Sequence, residues 1–153
     1  MPEDRRIVVL VDAEAEDRRA ITSRLEEIHR AAGLTTKTAP GDDGRFHVIN
    51  RVAIEELEAW FFGDVAALCE AFPGVPRALD RQAPYREPDH TRGGTWEALE
   101  RVLQQAGYYP GGLAKVDAAR KVSGHMDPER NRSASFQVFR AAVLEAFAGN
   151  HAG

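Results

Sequence analysis

A continuous apolar run opens the hydrophobic pattern of this chain. Residues 7–11 read IVVLV, and Asp12 follows them directly. An apolar run without polar alternation is typical of a strand that is buried on both faces of a parallel sheet. A second run, FHVINR at residues 46–51, also predicts a strand. The first third of the chain is therefore expected to contribute two strands.

Between and after these runs, apolar residues recur at helical spacing. The segment from about residue 14 to residue 32 predicts a helix, and Gly33 stands where a helix commonly ends. Residues 53–62 (AIEELEAWFF) predict a second helix, and Asp64 predicts the N-cap of a short third one. The other expected elements are helices at residues 96–105, 114–122 and 136–147, the last capped by Ser133 or Ser135, and an irregular segment at residues 73–95.

These elements predict an α/β fold with a partial parallel sheet. We expect one domain over residues 1–153, with a strand-helix-strand-helix part at 1–64 and a mainly helical part at 65–153. A sheet of two parallel strands is rarely stable in water, and a uniformly apolar strand is poorly suited to an exposed edge. Two explanations stay open: another chain supplies further strands, or the chain is a truncated piece of a larger α/β domain.

Composition narrows the class of protein. Twenty Lys and Arg residues against 24 Asp and Glu residues leave a net charge of −4, which excludes a strongly basic histone-like protein but allows a local basic patch. Cys69 is the single cysteine, so a disulfide scaffold is excluded, and its apolar helical neighbours predict a buried thiol. The sequence has neither a signal-peptide pattern nor an apolar run of about 20 residues. We therefore expect a cytoplasmic protein that does not interact with membranes.

Acidic residues gather where the first predicted strand ends. Asp12 and Glu14 are two positions apart, and Asp17 follows closely. Ligands of open α/β sheets bind at the carboxyl ends of strands, and Mg²⁺ is commonly held there by one or two carboxylates, water and substrate phosphate. These residues are therefore candidate metal ligands. The alternative is that Asp12 caps the next helix and that the other acids complement its dipole.

Glu58 is a second candidate, because it lies within an apolar helical stripe. A buried carboxylate without a partner costs free energy, so this residue needs a metal, an Arg such as Arg51, or backbone donors. The alternative is a structural ion pair. The neighbouring Trp60 is expected in the core, and Asp64 is expected to cap a helix rather than to bind a metal.

Basic residues before the last predicted helix form a third candidate site. Arg130, Arg132 and Ser133 precede its start, and Lys115 lies upstream. Free N–H groups and the helix dipole attract anions at such a position, and Arg adds bidentate phosphate recognition. We expect these four residues to contact a nucleic-acid backbone, with capping and ordinary surface charge as the alternative.

Several stretches of the chain resemble a known family. They include RIVVLVDAEAEDRRAI at residues 6–21, EELEAWFFGD at 55–64 and RNRSASFQVF at 130–139. On these residues the chain resembles the bacterial domain-of-unknown-function family 4276, which is related to the Toprim fold of topoisomerases, primases and OLD-type nucleases. The resemblance extends over nearly the whole chain.

The resemblance implies a metal site of the Toprim kind. Asp12 and Glu14 match the Asp-x-Asp motif after the third Toprim strand, with Asp17 as an additional acid. Glu58 and Asp64 match the E-x-W-type motif of the family. The sequence departs from the pattern because Glu14 replaces the second Asp, and because the first two Toprim strands and their glutamate are absent. The resemblance therefore also implies an N-terminally truncated member.

Two functions are carried forward from the sequence. The first is a Toprim-like, Mg²⁺-dependent nuclease or other phosphodiester-acting enzyme, with Asp12, Glu14 and Glu58 as catalytic residues and Asp12, Glu14 and Asp17 as metal ligands. By resemblance to OLD-type nucleases, an ATPase partner is expected, and the incomplete sheet favours a homo-oligomer. The second is a non-catalytic interaction module or an inactive fragment, in which the acids are caps and ion pairs.

Overall fold

The computed structural model describes residues 5–12, 16–53, 57–91 and 93–148. Within these residues it contains two strands and six α-helices. The strands are β1 (Ile7–Asp12) and β2 (Val48–Ala53), and the helices are α1 (Arg18–Ala31), α2 (Ala59–Gly63), α3 (Val65–Ala71), α4 (Thr95–Gln105), α5 (Lys115–Ser123) and α6 (Ala134–Ala148). The chain divides into a first unit, Met1–Ala53 with Val138–Gly153, and a second unit, Ile54–Gln137.

The fold is α/β, with a parallel sheet of two strands and a mainly helical C-terminal half. β1 and β2 pair in register from Ile7 opposite Val48 to Asp12 opposite Ala53. Helix α1 connects the two strands, as parallel pairing requires. The predicted fold class is therefore confirmed.

Helices cover both faces of β2 within the first unit. The Asn50 side chain hydrogen-bonds His29 and Glu26 of α1, each at 2.9 Å. The next-door Ile49 packs with Ala142 and Ala146 of α6. Successive strand side chains point to opposite faces, so α1 and α6 lie on opposite sides of this strand. Two-sided coverage explains why Val48 and Ile49 are fully buried.

Helix α1 begins four residues later than its periodicity predicts. Asp17 is the N-cap, and its carboxylate accepts a hydrogen bond from the Arg19 N–H at 3.2 Å. At the other end Gly33 has φ +69°, the left-handed conformation that commonly follows a helix and that glycine adopts without strain. The prediction for Gly33 is confirmed, whereas the predicted start near residue 14 is wrong because Asp17 supplies the cap.

The second predicted helix is much shorter than expected. Ala53 still belongs to β2, because the parallel register with β1 extends the strand to this residue. Residues 54–56 lie outside the described part of the chain, and α2 begins at Ala59. The predicted helix start at residue 53 is therefore wrong. Asp64 caps α3 as predicted, since its carboxylate accepts a hydrogen bond from the Ala67 N–H at 3.2 Å.

The core of the second unit is formed by side chains from its short helices. Phe72 is fully buried and meets the rings of Tyr108 and Tyr109 edge to face, with centroids 4.9 and 5.8 Å apart. The other fully buried large residues of this core are Phe62, Leu68, Leu79, Leu99, Leu103 and Val122. Residues 73–95 contain three short 3₁₀ turns, at Leu79–Arg81, Ala83–Tyr85 and Pro88–His90, as their prolines predict an irregular path.

The helices of the described ranges were compared with the dimensions of a bilayer. No helix there has the length and apolar composition needed to cross a bilayer.

Candidate functional site

The predicted metal ligands of the first unit occupy different local positions. Asp12 ends β1 and is exposed, whereas Asp17 caps α1. Glu14 lies outside the described residues. Among residues 5–12, 16–53, 57–91 and 93–148, no three His, Cys, Asp or Glu side chains form a group able to hold a metal ion. The cap explains Asp17 locally, and the metal role of Asp12 and Glu14 stays a prediction.

Glu58 belongs to the second unit, immediately before α2. Its side chain is 12% exposed, and its carboxylate lies 3.6 Å from the Lys115 ammonium group. Lys115 also lies 4.8 Å from the centroid of the Trp96 ring, in cation–π geometry. A carboxylate on an apolar stripe needs a partner, and here a lysine from α5 provides one. The structural ion pair that the sequence left open is therefore present, with Lys115 rather than Arg51 as its cation.

Asp64 and Arg130 form a bidentate ion pair. The Asp64 side chain is 0% exposed, and its two oxygens accept hydrogen bonds from Arg130 Nε at 2.7 Å and Nη2 at 2.9 Å. The backbone N–H groups of Asp127 and Ala67 donate to the same carboxylate at 2.8 and 3.2 Å. Four hydrogen-bond donors compensate the carboxylate for the loss of water that burial causes. It ties the start of α3 to the segment before α6.

These donors also control the protonation of Asp64. Burial alone would raise its pKa, but the hydrogen bonds from Arg130, Asp127 and Ala67 and the guanidinium charge outweigh burial and lower the pKa below its ordinary value. Asp64 is therefore ionised at neutral pH. The same contact raises the pKa of Arg130.

An anion does sit at the start of α6, but it is a side chain of this protein. Asp89 is buried, and its Oδ2 accepts a hydrogen bond from the Ala134 N–H at 2.7 Å. Its Oδ1 accepts hydrogen bonds from the Ser133 and Ser135 hydroxyl groups at 2.8 and 2.6 Å. The carboxylate neutralises the N–H groups and dipole that led the sequence analysis to expect an external anion here.

Of the two serines that the sequence offers as N-cap of α6, the structure selects Ser133 rather than Ser135. The Ser133 hydroxyl oxygen accepts a hydrogen bond from the Phe136 N–H at 3.1 Å. Ser135 accepts a hydrogen bond from Trp60 Nε1 at 2.8 Å, and the Trp60 ring meets Phe136 edge to face. Trp60 is thus a core residue, as predicted. Asp89 gave no signal in the sequence, because it lies 44 residues before Ser133 in an irregular segment.

A cavity of about 730 Å³ opens in the second unit. Two cations on its wall are matched by acids: Arg132 pairs with Asp80 at 3.0 Å, and Arg130 pairs with Asp64 at 2.7 Å. The His125 ring lies 3.3 Å from Glu70. Arg77 also lines the cavity. Cys69 lies at the same wall, where burial raises the pKa of its thiol, so it stays protonated at neutral pH. The cavity is close to charge balance, and the predicted nucleic-acid contacts of Arg130, Arg132, Lys115 and Ser133 stay a prediction.

A second concavity lies in the first unit, and we name it the α1 groove. It has a volume of about 790 Å³ and is lined by α1, the following loop and β2. Its cationic lining residues outnumber its acidic ones by five to two. The cations are Arg18, Arg19, Arg30, Lys37 and Arg51, and the acids are Glu26 and Glu27.

Local contacts leave the α1 groove positive. Glu26 accepts hydrogen bonds from Thr36 and Asn50. Burial alone would raise the pKa of Glu26, but these hydrogen bonds outweigh burial and lower the pKa, so Glu26 is ionised at neutral pH. Lys37 is matched by Glu145 of α6. Arg51 donates from Nη1 to the Asn50 carbonyl at 2.9 Å and is not neutralised by a carboxylate within the described ranges. The arginines of the groove therefore keep an excess of positive charge.

Two of the five lining cations lie at the start of α1. Arg18 and Arg19 occupy its first turn, which contains no acidic residue. Cations at a helix N-terminus oppose the dipole, and here the carboxylate of the Asp17 N-cap offsets that effect. This groove was not predicted from the sequence, although a signal for it is present: residues 18, 22, 26 and 30, four positions apart, lie on one helical face.

We expect Asp64→Ala to lower the free energy of unfolding by about 3 kcal/mol at pH 7, because it leaves a guanidinium and two N–H groups without their acceptor. The folded-state pKa of Asp64 is depressed, so its contribution is complete above its ordinary pKa of 3.8 and is lost as the pH falls through the lower folded-state pKa. Urea titrations from pH 7 to pH 2 measure the difference. Asp42→Ala, in an exposed loop, is the control; a pH-independent gap between wild type and Asp64→Ala would contradict this assignment.

We expect Asp89→Asn to lower the free energy of unfolding by about 2 kcal/mol, because an amide nitrogen cannot accept from the start of α6. Urea titration at pH 7 tests this. The matched control is Asp80→Asn, whose carboxylate pairs with Arg132 while 34% exposed and should change stability by less than about 1 kcal/mol. Equal effects of the two substitutions would argue against the capping role of Asp89.

The chain was compared with curated proteins, with solved structures and with profiles of protein families. Searches of curated proteins and of solved structures found no match. The profile of a family described as "Domain of unknown function (DUF4276)" matches residues 2–144, which include most of both units. The chain therefore belongs to the DUF4276 family.

Proposed function

We propose that this chain is a Toprim-like protein that acts on nucleic-acid phosphodiester bonds with Mg²⁺. The observation that carries the proposal is the positive α1 groove, which belongs to the same unit as the carboxyl end of β1. A nuclease needs both a metal site and a surface that attracts phosphates. The first unit offers candidates for both.

The metal would be held where β1 ends. Asp12 supplies an exposed carboxylate there, and Glu14 is two residues further along the chain. Oxygen ligands of this kind suit Mg²⁺, which keeps several waters and needs few protein carboxylates. When bound, the ion would polarise the phosphoryl oxygen and activate water. Asp17 is committed to capping α1, so we assign it a supporting role through the position of that helix.

The α1 groove would bind the nucleic-acid backbone. Its cations extend from Arg18 to Arg30, which is about 18 Å along the helix axis. One strand of a DNA duplex carries a phosphate about every 3.4 Å of helix axis, so several phosphates match this length. Arg18 begins α1 six residues after Asp12, and this short connection favours a phosphate path that starts near the proposed metal.

Partner proteins extend the same proposal. A relation to OLD-type nucleases would add an ATPase partner, and the two-stranded sheet favours association with a further copy. The ion pair between Glu58 and Lys115 supports a structural rather than a catalytic role for Glu58.

An interaction module without catalysis is the second candidate function. It is favoured by apolar side chains that the first unit exposes on three elements, Val8, Ile28, Leu144 and Phe147 among them. Exposed apolar residues mark contact surfaces when they cluster. In this case the acids of the chain serve as caps and ion pairs, as Asp17 and Asp64 do.

The groove proposal is tested by the double variant Arg19→Ala/Arg30→Ala. We expect its affinity for a single-stranded oligonucleotide to fall at least about tenfold at low salt, and the salt dependence of log K to flatten by about two in slope. Fluorescence anisotropy at several salt concentrations measures both, with DNA and RNA probes. Arg24→Ala is the matched control, because Arg24 is on α1 but pairs with Glu16 outside the groove. Equal losses in both proteins would contradict the assignment.

The metal proposal is tested by Asp12→Asn. We expect millimolar Mg²⁺ or Mn²⁺ to raise the melting temperature of the wild type, because an ion that binds only the folded state stabilises it, and to have little effect on the variant. Differential scanning fluorimetry measures the shift, and Asp42→Asn controls for the lost charge. An unchanged metal response in Asp12→Asn would argue against this site without affecting the test of the groove.

A further inference from the structure

The outer edge of β1 is unusual for an edge strand. β2 is its hydrogen-bonded neighbour, and the described residues contain no strand on the other side. Ile7 and Val8 are 36% and 37% exposed, although the strand is apolar from residue 7 to residue 11. Edge strands are normally protected by charge, proline or a bulge, because unpaired backbone groups attract another strand. None of these devices lies within residues 7–11.

The backbone direction of each β1 residue follows from one hydrogen bond. The Ile7 N–H donates to the His47 carbonyl at 2.8 Å, on the β2 side. Backbone groups alternate in direction along a strand, so Val9 and Val11 also face β2. Val8 and Leu10 consequently direct their N–H and C=O groups to the outer edge. Arg6 and Asp12 are an even number of positions from these two residues, so their backbone groups also face the outer edge.

Charge determines which kind of strand this edge would accept from a second copy. Arg6 precedes the apolar run and Asp12 ends it. Parallel pairing of two copies would place like charges side by side, which destabilises a sheet. Antiparallel pairing would place Arg6 of each copy opposite Asp12 of the partner subunit. This arrangement also agrees with the backbone directions, because all four charged residues direct their N–H and C=O groups to the shared edge.

We propose that β1 pairs antiparallel with β1 of a second copy, joining two two-stranded sheets into one sheet of four strands. In the register that matches Arg6 with the partner's Asp12, Val8 lies opposite the partner's Leu10. Val9 then lies opposite the partner's Val9, on the two-fold axis, as a pair without direct hydrogen bonds. The pairing satisfies the outer backbone groups and buries apolar surface on both faces. It specifies the association with a further copy that forms part of the proposed function and shares Asp12 with the proposed metal site, but its tests measure neither metal nor nucleic-acid binding.

Charge exchange tests the orientation. We expect the wild type to sediment as a dimer at micromolar concentrations, and Arg6→Asp and Asp12→Arg each to weaken dimerisation about tenfold or more, because each brings like charges together twice per dimer. The combined variant Arg6→Asp/Asp12→Arg should restore dimerisation. Analytical ultracentrifugation measures the constants, and circular dichroism confirms that each variant is folded. Wild type that stays monomeric up to about 100 μM, or a double variant as weak as the singles, would overturn the proposal.

Disulfide trapping tests the register in a Cys69→Ala background. Opposed Cα atoms of a pair without hydrogen bonds lie about 4.5 Å apart, within disulfide range. Val9→Cys should therefore form a covalent dimer under mild oxidation. Val8→Cys is the matched control, since its two copies would lie about 8 Å apart, beyond that range. Non-reducing electrophoresis gives the yields. Equal cross-linking at both positions, or none at Val9→Cys in a protein that dimerises, would overturn the proposed pairing.

Discussion

A buried carboxylate must have donors around it, and the second unit is organised by two such groups. Asp64 accepts hydrogen bonds from the guanidinium group of Arg130 and from two backbone N–H groups. Asp89 accepts hydrogen bonds from two serine hydroxyl groups at the start of α6. Each joins segments that are far apart in the sequence. Desolvating an ionised group is costly, so neither arrangement is stable in part: the donors must all be in place together. The path of residues 125–135 therefore depends on these two acids.

The same requirement explains why the basic residues that were predicted to contact nucleic acid have acidic partners in the structure. Arg130, Arg132 and Lys115 each face an acid of their own chain, and the start of α6 is occupied. The first unit differs, because five cations and only two acids line the α1 groove. For this reason the proposed phosphate contacts belong to the α1 groove rather than to the segment before α6.

The sheet combines two features that seldom occur together. Helices cover both faces of β2, yet the outer edge of β1 is apolar and lacks a neighbouring strand among the described residues. Helices on the two faces remove side chains from water, but they do not supply hydrogen-bond partners to the backbone groups that point outward in the plane of the sheet. The opposite charges at the two ends of β1 give this edge a preferred orientation for pairing. The α1 groove and the proposed pairing edge use different residues of the first unit, whereas Asp12 belongs both to the proposed metal site and to the pairing edge.

Local patterns in the sequence were sufficient for the presence of both strands, the α/β class and the caps at Gly33 and Asp64, and they narrowed the cap of α6 to Ser133 or Ser135. These features depend on steric and hydrogen-bonding preferences within a few residues, which a single chain displays directly. The residue that fills the start of α6 and the partners of Glu58 and Arg130 were decided by tertiary structure. Asp64 and Arg130 are 66 residues apart, and Asp89 and Ser133 are 44 residues apart. No local preference encodes such pairs, because they form only when packing brings their segments together.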